Sequence, residues 1–212
     1  MAGIEAFRSR VATNVLNCPD MVIDQAVLDA SIEFCERSNI IRATLAQINL
    51  VANDFLITLA APASCRLVQV QSAWVDGTEI APLPADNAGV FEYVTAVTGQ
   101  SAKTGAPRFF SEASPGVIAL HPRPDKAYVL TVRASTKPSR AAIVVDDALL
   151  EDWANAVSCG ALSILYSMRA EWADQALAKS ERKRFDSFIG DALIEASRGR
   201  NRAEAAVRPV WI

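Results

Sequence analysis

The order of the hydrophobic repeats constrains this chain more than any other feature. Apolar residues recur at helical spacing in the first forty residues, alternate with the period of a strand in the middle, and return to helical spacing towards the end. Helices far apart in the chain must therefore bury their apolar sides together. The sequence predicts an α+β fold, in which a helical bundle of N- and C-terminal helices carries an inserted antiparallel β-sandwich or barrel-like module.

The domain boundaries follow from the same change of period. Residues 1–42 and 139–202 form a discontinuous helical bundle domain, residues 43–138 form the inserted β domain, and residues 203–212 form a C-terminal docking tail. The tail ends in Val210, Trp211 and Ile212. Because exposing large apolar side chains to water is unfavourable, we expect this segment to dock on the chain's own core, on another subunit or on a partner.

The first long helix is predicted to begin at Pro19, where a missing N–H is harmless, and to end at Ser38–Asn39. A shorter helix is expected around residues 3–14. Two helices close the chain, the first capped by Asp146 or Asp147 and the second running from about 173 to 198. Gly160 lies inside the first of these, where glycine costs about 1 kcal/mol of helix propensity, which favours a close helix crossing there.

The middle segment is expected to hold five to seven strands. The even-numbered residues of 68–74 are predicted to share one face of a strand. Asp76–Gly77 follows directly, and this pair is typical of a tight hairpin turn because both positions need positive φ. Residues 82–107 form the least regular stretch, and we interpret them as a long excursion that has either a binding role or no specific role.

Composition excludes several classes of function. A net charge of −3 gives no general reason to bind nucleic acid, and four widely spaced cysteines with a single histidine do not fit a zinc site. No cofactor or metal is expected, and the cysteines are expected to be buried reduced thiols. The N-terminus lacks a signal-peptide pattern and no apolar run is long enough to span a membrane, so we expect synthesis in a cytoplasm and no membrane contact.

Catalytic patterns are also missing. His121 is the one histidine, and its position in Leu-His-Pro at the end of a strand favours a structural role. Phosphate-binding glycine motifs are absent from the sequence, and the carboxylate pairs at 146–147 and 151–152 are explained by helix N-termini. Carboxylates that converge only in the fold stay open as a glycosidase-like alternative. We expect that the protein is not an enzyme.

Several segments, in this order, resemble tailed-phage head-to-tail adaptor (connector) proteins. The resemblance covers almost the whole chain and depends on the order and spacing of the segments rather than on one of them. The segments are VLDASIEFCERS at 27–38, AQINLVA at 46–52, AWVDG at 73–77, IALHPRPD at 118–125, and the helical stretches 151–168 and 172–185.

The resemblance implies a virion structural protein without catalysis. Such a protein forms a ring, expected to be dodecameric, between the portal and the tail, with the portal protein and the tail or stopper (nozzle) proteins as partners. Double-stranded DNA passes through the ring during ejection, so its contact with DNA is transient. In such rings the helical bundle contacts the portal and neighbouring subunits, while the β module faces outward or towards the tail components. The expected location is the head–tail interface of the virion, after synthesis in the bacterial host cytoplasm.

Ring subunits meet through heterologous faces, in which one surface contacts a different surface of the next copy. We assign the candidate interface residues to two segments, one on the last helix and one from residue 200 to residue 211. They are Arg182, Lys183, Arg184, Arg200, Arg202, Arg208 and Trp211. A solvated helix face is the simpler interpretation of the first segment. Another phage tail or capsid assembly module, with a β domain for recognition, is the alternative function.

Overall fold

The computed structural model describes residues 1–54, 56–83 and 104–198 of the chain. It shows a mixed α+β fold, as the sequence predicts. Three predictions lie outside these residues: most of the excursion at 82–107, the tail at 203–212, and the candidate interface residues from 200 to 211.

The helices lie close to their predicted positions, except that one predicted helix is divided into two. A 3-10 turn at Ile4–Phe7 is followed by α1 (Arg8–Ala12), α2 (Asp20–Ser38), α3 (Asp147–Glu151), α4 (Ala154–Ser167) and α5 (Gln175–Arg198). Pro19 is the N-cap of α2, and Asn39 ends α2 in the left-handed conformation with φ of 52°. The helix predicted from Asp146 onward is divided, because Trp153 leaves helical geometry at φ −123° and ψ 16°.

Where the sequence predicts five to seven strands in the middle segment, the described residues contain eight, and two short strands outside it bring the total to ten. They are β1 (Ala2–Gly3), β2 (Arg42–Thr44), β3 (Ile48–Leu50), β4 (Leu56–Thr58), β5 (Cys65–Val75), β6 (Thr78–Pro82), β7 (Phe109–Ser114), β8 (Val117–His121), β9 (Tyr128–Pro138) and β10 (Val144–Val145). β1 and β10 pair with each other, and the other eight form one curled half-barrel sheet in the order β2-β9-β5-β6-β7-β8-β4, with β3 also on β9.

The hairpin between β5 and β6 is confirmed, with φ of 47° at Asp76 and 79° at Gly77. The prediction of a purely antiparallel sheet is wrong, because β6 and β7 run parallel, with Ala81 opposite Phe109. A tight turn can connect only antiparallel strands, whereas the long segment between these two lets the chain return to the same end of the sheet.

The prediction that the even-numbered residues of 68–74 share one face of the strand is also wrong. Two register shifts against β9, after Leu67 and after Val70, interrupt the pairing of β5. Each extra residue in a bulge moves the following side chains to the other face of the sheet. Val70 is buried as expected, but Ala73 and Val75 then replace the even-numbered residues in the core.

Two apolar cores are present. The first core lies among the helices, and its buried side chains come from residues 2–35 and 142–196. The second is enclosed by the curled sheet, and its buried side chains come from residues 45–134. At the junction, the hydroxyl of Ser135 on β9 donates to Oδ1 of Asn39 at 2.8 Å, next to the end of α2. The division into domains at 42/43 and 138/139 stays a prediction.

At Gly160 the helices α2, α4 and α5 approach one another closely. A Cβ at this position would lie 2.8 Å from Cε2 of Phe185 on α5 and 2.9 Å from Cβ of Ala30 on α2. Phe34 lies beside it, with its ring centroid 5.3 Å from Trp153 and 6.2 Å from Phe185. The close crossing expected from a glycine in mid-helix is confirmed.

We expect Gly160→Ala to destabilise the protein by about 1 kcal/mol. Alanine gains about 1 kcal/mol of helix propensity, but overpacking a close contact costs about 1–3 kcal/mol. Gly190→Ala is the matched control, because a Cβ at Gly190 meets no atom within 4 Å and the same propensity gain should stabilise α5. Urea unfolding followed by circular dichroism measures both. Equal stabilisation by the two substitutions would contradict a tight crossing at Gly160.

Candidate assembly surface

The last helix, α5, carries the part of the predicted interface that the structure describes. Asp174 caps it by accepting hydrogen bonds from the N–H groups of Ala176 (2.8 Å) and Leu177 (3.0 Å). One side of α5 is buried against α2 and α4. The buried residues are Ala178, Phe185, Ile189, Ala192 and Ala196. The opposite side faces solvent and is the surface on which a partner can bind.

Arg182, predicted as an interface residue, binds its own chain. Its guanidinium makes a two-pronged contact with Glu33 on α2, with one N–H···O distance of 2.9 Å, and lies 5.5 Å from the ring centroid of Phe185. Arg37 on α2 donates to the same carboxylate at 3.0 Å and to Asp186 on α5 at 2.6 Å. Four alternating charges therefore join α2 to α5.

The charges of this network alter the protonation of Glu33. Partial burial acts to raise the pKa of Glu33, but hydrogen bonds from Arg182 and Arg37 outweigh burial and hold that pKa below its usual value of 4.5. The pKa of Arg182 is raised, chiefly by its hydrogen bond to Glu33. Both groups are therefore charged at neutral pH and the contact is an ion pair.

The other predicted residues on α5 differ from each other. Arg184 donates to both carboxylate oxygens of Glu181, one turn earlier, at 2.9 and 3.1 Å. Lys183 is exposed and has no ion pair among the residues that the structure describes. Lys179, which the sequence interpretation did not select, has the same properties one turn earlier. The sequence alone could have indicated this pair, because residues four apart lie on the same side of a helix.

The structure does not test the remaining interface candidates. Arg200, Arg202, Arg208 and Trp211 lie outside the described residues, so their assignment stays a prediction. Arg182, Lys183 and Arg184 are consecutive on one helix, and only Lys183 of these three is without an ion pair in the described part of the chain.

His121, Cys35 and Cys159 have side chains that could act in catalysis, but their surroundings indicate structural roles. His121 lies at the end of β8 with Nε2 3.3 Å from the hydroxyl of Ser111. Cys35 faces a crevice of about 90 Å³ between the helices and the sheet, and burial raises its pKa to about 12. Burial also raises the pKa of Cys159, to about 11. These two thiols are protonated at neutral pH and are therefore weak nucleophiles.

Metal-binding clusters and membrane-spanning helices are both absent from the part of the chain that the structure describes. Residues 1–54, 56–83 and 104–198 contain no group of three or more His, Cys, Asp or Glu side chains that could hold a metal ion. Within the same ranges, every helix is too short or too polar to cross a membrane.

Glu33→Gln should destabilise the protein by about 0.5–1 kcal/mol at pH 7, because it removes the acceptor of two arginines in a partly solvated pair. The folded-state pKa of Glu33 is lowered, so the carboxylate stabilises the fold above pH 4.5 and loses that effect as the pH falls through the lowered pKa. The difference from wild type should therefore vanish in acid. Urea unfolding between pH 3 and 7 measures it, with Glu195→Gln, an exposed residue without an ion pair in the described residues, as control. A difference that persists unchanged at pH 3 would contradict this assignment.

The family comparison covers almost the whole chain. The sequence model of the SU10 adaptor protein family matches residues 4–210, which includes all of the helices and strands from the 3-10 turn to α5. Among curated proteins, none matches this chain. The resemblance to phage adaptor proteins, drawn from the order of short segments, is confirmed by this match. The chain belongs to the SU10 adaptor protein family.

Proposed function

We propose that this protein is a head-to-tail adaptor of a tailed bacteriophage, which forms a ring, dodecameric in the simplest case, between the portal and the tail. The observation that carries the proposal is the family match over residues 4–210. The match spans both the helical and the strand-forming parts, so the proposal concerns the whole architecture rather than one module. The proposed location is the virion.

We further propose a division of labour between the two parts of the fold. The N- and C-terminal helices act together as a bundle that contacts neighbouring subunits and the portal, and the sheet faces the tail, stopper or nozzle proteins. In support, α2, α4 and α5 share one core and α2 is tied to α5 by Glu33 and Arg182. A rigid body of this kind can hold the angle that ring closure requires.

The role is structural rather than catalytic in this proposal. The low net charge of −3 suits a ring through which DNA moves, because a strongly basic lumen would bind DNA tightly and obstruct its passage. DNA is thus a transient cargo, and the lasting partners are proteins of the portal and the tail.

The direct experiment is electron microscopy of the purified protein, alone and mixed with the portal protein encoded in the same genome. We expect an added ring beneath the portal in the mixture. Assembly on a template removes part of the entropic cost of ordering many subunits, so monomers in the absence of the portal are compatible with the proposal. Clean portals beside unbound monomers would contradict it.

Deleting residues 203–212 should leave the monomer folded and weaken ring formation on the portal at least tenfold. The reason is that the apolar end of this segment, Val210 to Ile212, is proposed to dock on a neighbour or on the portal. Urea unfolding measures the fold and electron microscopy measures the ring. Loss of the folded monomer would show instead that the segment belongs to the chain's own core.

A further inference from the structure

Two lysines on the outer side of α5 carry charge that no carboxylate of the described residues pairs with. Lys179 and Lys183 are one turn apart, exposed, and on the side away from the buried Phe185. Neither forms an ion pair in the described part of the chain. Like charges at this spacing destabilise a helix by about 0.2–0.5 kcal/mol. The fold of the monomer gives no physical reason for this arrangement.

A group of carboxylates lies at the other end of the helical part. Asp147 and Glu151 are one turn apart on α3, which begins two residues after β10. Glu5 lies two residues after β1, the partner strand of β10. The side chain of Glu5 folds back over Gly3, where a Cβ would lie 2.6 Å from Oε1 of Glu5. Among the described residues, the amino group of Met1, which binds Asp147, is the one cation at ion-pair distance from these three carboxylates. We call Glu5, Asp147 and Glu151 the acidic corner.

The two charged faces are too far apart to meet within one copy. The N–H of Asp174 donates to the carbonyl of Tyr166 at 3.0 Å, so α5 starts where α4 ends and runs back along it. The lysines therefore lie beside the C-terminal half of α4, whereas the acidic corner precedes its N-terminus. A helix of 14 residues such as α4 is about 20 Å long.

We propose that neighbouring copies of this chain join head to tail, with Lys179 and Lys183 of one copy against the acidic corner of the next. The inference rests on the ring proposed above and names the faces that form its contacts. A symmetric contact between these two faces would pair opposite charges twice and would end at a dimer. A heterologous contact pairs opposite charges at every junction and closes into a ring when the rotation between copies permits.

Both faces also expose large apolar side chains, which an interface needs at its centre. Ile143, next to the acidic corner, is 78% exposed, and Ile194, on the outer side of α5 like Lys183, is 49% exposed. Protein interfaces combine an apolar centre with a polar, charged rim. In this proposal the ion pairs set the register of the two copies, while burial of apolar area supplies most of the affinity.

Charge reversal on one face at a time tests the contact. A basic-face variant, Lys179→Glu with Lys183→Glu, and an acidic-corner variant, Glu5→Lys with Glu151→Lys, should each lose ring formation on the portal at least tenfold. An equimolar mixture should restore rings. In an alternating arrangement, each pair of subunits has one wild-type junction and one junction in which all four substituted residues have reversed charge. A single chain with all four substitutions should also form rings, and this arm does not need an even number of subunits.

The control variant carries Arg66→Glu and Arg133→Glu, two exposed residues of the sheet, and should form rings as wild type does. If both single-face variants still form rings as the wild type does, the inference is wrong and the proposed function is unaffected. The same holds if neither the mixture nor the fourfold variant restores rings, or if the control variant also loses them. Absence of wild-type rings on the portal would overturn the proposed function together with this inference.

Discussion

The close approach of three helices at Gly160 is the contact on which the rest of the structure depends. A Cβ at this position would lie within 3 Å of Phe185 and Ala30, so its absence lets α2 and α5 pack this closely on α4. The cost in helix propensity is about 1 kcal/mol, and it is offset by the burial of Phe34 and Phe185, each worth about 1.5–3 kcal/mol. One glycine thus allows the two distant ends of the chain to share a core.

That crossing also determines which charges are available to a partner. With Phe185 facing the core, Arg182 lies one turn earlier on the flank of α5 and reaches Glu33, while Lys183 points to solvent. The rotation of α5 about its own axis is therefore fixed twice, by apolar contact and by ion pairs. A rigid α5 presents its outer side at a constant angle, which is a requirement for any contact that repeats around a closed assembly.

The sequence predicts features whose cause is local and fails where the cause is distant. Asp76–Gly77 and Asn39 are read correctly because positive φ is a property of the residues themselves. The parallel pairing of β6 with β7 and the bulges of β5 depend on partner strands that the sequence does not identify. For the same reason Arg182 looks like a free surface cation until Glu33, 149 residues away in the chain, is seen beside it. Of the three interface candidates that the structure describes, only Lys183 keeps the free charge that the sequence suggested.

The chemistry of arginine and lysine agrees with this division between a paired Arg182 and an exposed Lys183. Arginine presents a planar fork that matches a carboxylate with two parallel hydrogen bonds, so it suits a fixed contact such as Arg182 with Glu33. Lysine is a compact, well-hydrated charge on a flexible stem, and it tolerates the small differences in geometry between successive junctions. Such a charge also stays hydrated until a partner arrives, so the exposure of Lys179 and Lys183 costs the free chain little. A helix that alternates the two residues can therefore hold its own fold with one and remain open to assembly with the other.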